Sequence, residues 1–176
     1  MLPVLPAHAS SNFGLVADFP TVQPVGKEPL SPPTIWISSV SSDSLTVTDL
    51  RFVPSCSNWD VNCIGGIADP GTFNISATGM GIAKTACADR SFDFKVVDPA
   101  TGQVRITPAD GKPVVLTAHD MASDLDTCRI SFTMTANRVP NHDSFPSVEG
   151  FQTNQNMRIS GTTNGQSLTF TSHDIT

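Results

Sequence analysis

Residues 91–118, SFDFKVVDPATGQVRITPADGKPVVLTA, contain the clearest structural signal in the chain. Apolar and polar residues alternate along SFDFKVV and again along VRIT, which is typical of β-strands that bury one face. The segments PATGQ and PADGK carry the proline and glycine residues of tight turns. The stretch therefore predicts a hairpin over residues 91–107, followed by a second turn and a third strand.

The same alternation recurs on both sides of this hairpin. It predicts buried residues at alternate positions of several further strands, with a bulge where the period shifts at Thr48–Asp49. In the segment 73–82, a similar shift after Gly79 is expected to bring Met80 and Ile82 onto the apolar face. The sequence TNGQ near the end has the Asn-Gly pair of a tight hairpin. The apolar positions are Ile35, Ile37, Leu45, Val47, Leu50, Phe52, Phe73, Ile75, Ala77, Phe92, Phe94, Val96, Cys128, Ile130, Phe132 and Met134.

Eight or nine short strands and no segment of helical period indicate an all-β domain, either a sandwich or a barrel. The long Pro-containing segment after the Cys128 strand is expected to cross from one part of the fold to another. We divide the chain into a Pro-rich extended N-terminal arm, residues 1–33, and a β-domain, residues 34–176.

Composition excludes several functional classes. Only 15% of the residues are charged, the net charge is −6, and the ten Lys and Arg residues are scattered along the sequence. Nucleic-acid binders need clustered basic residues, so we predict that the protein does not bind nucleic acid. No stretch of about 18 apolar residues exists, so no membrane span is expected.

Four cysteines, Cys56, Cys63, Cys87 and Cys128, favour two disulfides over free thiols or a zinc site. Three pairings are formally possible. We favour Cys56–Cys63, which would close the loop CSNWDVNC, together with Cys87–Cys128, which would join distant strands. Disulfides in turn indicate an oxidising compartment, outside the cell or on a virus particle.

The first residues, MLPVLPAHAS, resemble a secretory signal only in part. A small-x-small AHA follows a short apolar run, but a basic region is missing and two prolines interrupt the run. We therefore expect either a start further upstream or another route of export, such as release in a virus particle.

No catalytic machinery is recognisable. Three histidines precede aspartates, at His119-Asp120, His142-Asp143 and His173-Asp174. Adjacent residues of a strand point to opposite faces, so these pairs are poorly placed to share a metal or form a relay. Without a nucleophile motif, a metal-ligand motif or a phosphate loop, we predict that the protein is not an enzyme.

Two features could bind a ligand. Asp120, Asp124 and Asp126 lie in one short segment and carry oxygen ligands that could hold calcium, or they form a solvated acidic loop. Trp59, in the loop between Cys56 and Cys63, could contact a sugar or a protein, or pack over the sheet edge.

The arm is unusual because its five prolines before Ser31 are mixed with many apolar residues, too many for a solvated linker. We expect it to lie over an adjacent subunit, pairing through its main chain with a sheet edge.

The order of motifs CADRSFDFKVVDPATGQVRITP, VVL and CRISFTM resembles an immunoglobulin-like repeat module of very large secreted or surface-anchored bacterial proteins, especially of actinobacterial type. The resemblance covers roughly residues 34–140. It implies an antiparallel immunoglobulin-like β-sandwich, a Cys87–Cys128 bridge and a scaffolding or adhesive role. It transfers no catalytic residue.

The sequence thus favours a non-enzymatic structural subunit of an extracellular assembly, such as a surface layer, a fibre or a virus-particle decoration. Its partners would be copies of itself or a neighbouring subunit. The alternative is an adhesive module that binds carbohydrate or a host surface through Trp59 and the acidic loop. No cofactor is expected, apart from the calcium considered above.

Overall fold

The computed structural model describes residues 13–18, 26–27, 32–40, 42–54, 73–100, 102–137, 155–163 and 166–172. Within them the chain forms one short 3₁₀ helix, Asp124–Asp126, and ten strands that pair antiparallel, which confirms the all-β prediction. The strands are β1 (Phe13–Asp18), β2 (Thr34–Ser39), β3 (Leu45–Pro54), β4 (Phe73–Gly81), β5 (Ser91–Asp98), β6 (Gln103–Pro108), β7 (Val114–Leu116), β8 (Thr127–Ala136), β9 (Gln155–Thr163) and β10 (Gln166–Ser172).

All ten strands belong to one hydrogen-bonded sheet. Its order is β1-β2-β8-β4-β5-β6-β3-β9-β10, and β7 pairs with β3. Along one edge of the long strand β3, β7 pairs with Leu45–Val47 and β6 pairs with Leu50–Phe52. The other edge of β3 pairs with β9. The chain between β8 and β9 therefore connects distant strands of the sheet, as the sequence predicted for the Pro-containing segment.

The sheet curls until its inner face closes on itself. Three strands separate β8 from β3 in the sheet order, yet the rings of Phe132 on β8 and Phe52 on β3 are 5.8 Å apart between centroids. Phe132 also lies 5.0 Å from the ring of Phe94 on β5. Since aromatic pairs at such distances are in contact, the inner faces of the two halves form one core. Its buried members are Ile35, Ile37, Leu45, Val47, Leu50, Phe52, Cys87, Phe92, Phe94, Val104, Ile106, Val114, Leu116, Cys128, Ile130, Phe132 and Met134.

The local predictions for the hairpins and the bulge are confirmed. Strands β5 and β6 pair from Phe92 opposite Pro108 to Asp98 opposite Gln103. Strands β9 and β10 begin their pairing at Thr163 and Gln166, so a two-residue Asn-Gly connection joins them. In β3 the register shifts between Val47 and Asp49, which lets Val47 and Leu50 both face the core.

The prediction for the second half of β4 was wrong. Met80 is 51% exposed, and the positions that face inward are Gly79 and Gly81. A side chain at Gly79 would meet the Phe94 ring at 2.5 Å, and one at Gly81 would overlap the backbone of Cys87. The two glycines therefore let neighbouring groups approach the backbone of β4, and Met80 between them points outward. Val96, also expected inside, is 54% exposed near the end of β5.

Strand β1 was not among the expected strands. It lies within the segment assigned to the N-terminal arm and pairs antiparallel with β2, from Phe13 opposite Ser39 to Asp18 opposite Thr34. In the described part of the sheet, β1 and β10 are the two end strands. The arm segment Phe13–Asp18 is thus an edge strand.

Candidate functional site

The disulfide joins the turn after β4 to the start of β8. Cys87 and Cys128 are bonded with their Cα atoms 5.0 Å apart, and both are fully buried. The turn is also held by backbone bonds, because Ala86 N–H donates to Thr127 O and Ile82 N–H donates to Arg129 O, both at 2.8 Å. Cys87–Cys128 is therefore a buried structural disulfide within the core, as predicted.

The Thr85 hydroxyl completes this turn. Thr85 is buried, and its Oγ1 donates to Ile82 O at 2.8 Å and accepts from Cys87 N–H at 3.3 Å. Lys84 and Asp89 adopt positive φ angles of 68° and 59°, which allows the chain to reverse twice within a few residues. The turn is compact and its polar groups are engaged internally, which suits a fixed scaffold.

The acidic loop is organised around Asp126. Its side chain is buried, with Oδ2 lying 2.7 Å from Nδ1 of His119 and 3.3 Å from the backbone nitrogen of Asp120. The Thr127 hydroxyl donates to Oδ1 at 3.2 Å. His119 therefore pairs with the aspartate seven positions later and not with its sequence neighbour Asp120. Sequence reasoning missed this pair because it considered only adjacent residues.

The surroundings of Asp126 favour its charged form. Burial alone raises the pKa of the carboxyl, but the hydrogen bonds from His119, the Asp120 N–H and Thr127 act in the opposite direction and outweigh it. The pKa of Asp126 consequently lies below its usual 3.8. With the carboxylate ionised, the Nδ1 atom of His119 is the donor of their bond.

The other two aspartates of the loop do not join Asp126 in a ligand set. Asp120 Oδ1 accepts from the Ala122 N–H at 2.9 Å, and Asp124 starts the 3₁₀ helix with its side chain exposed. Within the described ranges, no group of three or more His, Cys, Asp or Glu residues could hold a metal ion. The geometry therefore gives a calcium site at Asp120, Asp124 and Asp126 no support.

Several predicted site residues lie outside the described residues. These are Cys56, Trp59 and Cys63 of the expected small loop, together with the dipeptides His142-Asp143 and His173-Asp174. The Cys56–Cys63 bridge and a contact role for Trp59 stay predictions. No helix in the described part of the chain is long and apolar enough to cross a membrane.

The other tryptophan, Trp36, lies on the outer face of β2 and is covered by an arginine. Arg129 is directly opposite on β8, and its Cζ is 3.7 Å from the centroid of the Trp36 ring. The indole N–H donates to Thr34 Oγ1 at 3.0 Å. This cation–π stack occupies the ring face that a sugar would otherwise use.

One small cavity lies within the described core. The described core contains a cavity of about 20 Å³ beneath the β3 bulge, lined mainly by apolar side chains from β2, β3, β5, β6, β7 and β8. That volume suits one water molecule, whereas sites for small molecules commonly enclose about 300–1,000 Å³. This cavity is therefore too small to hold a small-molecule ligand.

No protein-family model matches the chain, and no curated protein matches it in sequence.

Proposed function

We propose that the protein is a non-enzymatic structural subunit of an extracellular assembly, a surface layer, a fibre or a virus-particle decoration, attached through its N-terminal arm. The main support for the proposal is the pairing of strand β1 with β2. The arm segment Phe13–Asp18 binds the edge of β2 along its whole length by main-chain pairing. An arm that adds a strand to a sheet edge is a known mode of protein attachment.

The length of chain after β1 supports exchange of this strand between copies. Residues 19–33, fifteen residues, separate Asp18 from Thr34, although the two strands are antiparallel neighbours. Two to five residues suffice to join such a pair, and fifteen extended residues could span up to about 50 Å. The β1–β2 pairing of one copy can therefore be made by the arm of the next copy with the same register and the same contacts.

The disulfide supports the extracellular setting. A buried Cys87–Cys128 bond between distant segments is typical of proteins that mature in oxidising compartments. The finer architectural proposal, an immunoglobulin-like module as in secreted bacterial repeat proteins, rests on the motif resemblance and on the antiparallel all-β fold with that bridge.

The alternative, adhesion through Trp59 and the acidic loop, has less structural support. Asp126 is turned inward to His119, and Asp120 accepts a hydrogen bond within the loop. Trp59 lies outside the described residues. We therefore favour the assembly role.

Two cysteines introduced into β1 and β2 test the proposal. A Cβ at Gly14 would lie 4.0 Å from Ser38 Cβ, within the range that a disulfide needs. The variant Gly14→Cys/Ser38→Cys should form disulfide-linked multimers, seen on non-reducing denaturing gels, if arms are exchanged. The control Gly14→Cys/Thr34→Cys uses the same strands four residues out of register and should give no such ladder.

Light scattering completes the test. The full chain should form oligomers, and a chain that starts at Pro32 should be monomeric, because it lacks β1. If the full chain is monomeric and the engineered disulfide between β1 and β2 forms only within single chains, attachment of like subunits through the arm is wrong.

A further inference from the structure

Basic residues that are far apart in sequence align along one register line of the sheet. Lys95 on β5 lies opposite Arg105 on β6, and Arg105 lies opposite Arg51 on β3. Arg51 in turn lies opposite position 158 on β9, which is also an arginine. Four of the ten basic residues of the chain therefore occupy one register line across four neighbouring strands. We call Lys95, Arg105, Arg51 and Arg158 the basic row.

This arrangement has a cost. Like charges placed directly opposite one another on a sheet are destabilising. Asp49 offsets part of that cost, since its two carboxylate oxygens accept from Arg51 Nε at 2.7 Å and from Arg105 Nε at 2.6 Å. Arg51 also donates from a terminal nitrogen to Gln103 Oε1 at 3.2 Å. The two guanidinium groups are thus fixed in place on the sheet.

The fixed guanidinium groups stay accessible to solvent. The side chains of Arg51 and Arg105 are 31% and 43% exposed, and Asp49 between them is 15% exposed. Both salt bridges with Asp49 use Nε, so they do not consume the terminal nitrogens of the guanidinium groups. Lys95 is exposed at the end of the row. An anion above the sheet would therefore meet positioned donors whose ordering entropy has already been lost.

The charge of the row contrasts with that of the whole chain. Its four basic positions share these strands with three carboxylates, Asp49, Asp93 and Asp98, whereas the whole chain has a net charge of −6. Neighbouring strands are about 4.8 Å apart, so the row extends roughly 14 Å in a line across the strands. A linear row of cations at that interval is complementary to an extended polymer that carries an acidic group on successive units.

From this geometry we propose that the basic row binds a linear acidic polysaccharide through its carboxylates. Arginine pairs with carboxylates through two parallel N–H bonds, which suits such a ligand. Nucleic acid is disfavoured because duplex DNA carries a charge about every 1.7 Å, which a strongly acidic protein repels. The outward residues of the described strands β3, β5 and β6 also include no aromatic ring on which a base could stack.

Alginate oligomers, linear chains of carboxylated sugars, are the probe for this site. The affinity of the full chain for alginate is measured by titration calorimetry at low salt, with neutral dextran as the negative control. The variant Lys95→Gln/Arg105→Gln should bind alginate roughly tenfold more weakly, equivalent to about 1.4 kcal/mol. The control Lys84→Gln/Lys112→Gln changes two exposed lysines outside the row, has the same net charge, and should bind within about twofold of the original chain.

A second variant guards against a folding defect. Lys95→Gln alone leaves Asp49 and its two arginines intact, and should still weaken alginate binding by roughly threefold with an unchanged melting temperature. Equal losses in the row variant and its control would show a general charge effect and overturn the proposal. The proposal also fails if alginate does not bind, or if a single-stranded oligonucleotide of equal charge binds as tightly. It fails as well if the row variant instead abolishes salt-sensitive self-association, because the partner of the row would then be an acidic surface of a second copy.

Discussion

Removing the Cys87–Cys128 bond should cost the domain a large part of its stability. The two residues are 41 positions apart, and closing a loop of that length restricts the unfolded chain by about 4 kcal/mol on the loop-entropy model. Both cysteines are fully buried, so Cys87→Ala/Cys128→Ala also loses packing in the core. For a chain of this size, a loss of about 4 kcal/mol lowers Tm by roughly 8–16 °C.

Urea unfolding, followed by circular dichroism, measures this loss and also identifies its cause. If the bond acts on the unfolded state, the double variant should unfold at lower urea with a steeper dependence on urea, because its unfolded chain is less compact. The variant Cys56→Ala/Cys63→Ala is the matched comparison. A bridge over seven residues, as the sequence predicts there, should contribute only about 2.5 kcal/mol.

Two outcomes would contradict stabilisation through the unfolded chain. A decrease below about 2 kcal/mol would mean that the backbone bonds of Ala86 and Ile82 to β8 hold the turn without the disulfide. A loss of the expected size with an unchanged slope would assign the effect to core packing in place of chain entropy.

Two further predictions concern single residues. Asp126→Asn should destabilise the domain by about 1–3 kcal/mol, because the donors around the side chain lose a charged acceptor. Since the folded pKa of Asp126 is depressed, the contribution of the carboxylate to stability is present above pH 3.8 and is lost as the pH falls below that value. Urea unfolding of the variant and of the original chain should therefore give converging free energies as the pH is lowered. Gly81→Ala should destabilise by more than about 3 kcal/mol, since its Cβ would overlap the Cys87 backbone, whereas Gly14→Ala, whose Cβ meets only Ser38 Cβ at 4.0 Å, should change the melting temperature little.

Features set by neighbouring residues could be predicted from the sequence. The alternation around Phe92 and Phe94 depends only on the two-residue period of a strand, and the Asn-Gly pair defines its own turn geometry. The bulge in β3 was visible because the apolar positions skip a residue between Val47 and Leu50. In each case the physical cause lies within a few residues of the signal.

Features set by distant residues could not be predicted in this way. Met80 points outward because Gly79 and Gly81 admit the Phe94 ring and the Cys87 turn, and neither neighbour is apparent from the β4 sequence. His119 pairs with Asp126 because the 3₁₀ helix brings the chain back toward it. The adjacent His-Asp pairs were judged poorly placed for a relay, and the contact that His119 makes with Asp126 was not anticipated.

The basic row is the clearest case of a feature that distant residues create and that the sequence alone does not show. Its residues were considered scattered because positions 51, 95, 105 and 158 are far apart in sequence, and only the register of β3 with β6 and β9 aligns them. Pairing between distant strands depends on the whole core, so a charge pattern across the sheet is not visible in any local window. A row of facing cations lowers the stability of the sheet. Sequences depart in this way from the arrangement that is best for stability mainly at surfaces that bind a partner or ligand. The scatter of basic residues along the sequence therefore gave no reason to expect an anion site, and the register of the strands supplies a reason to test for one.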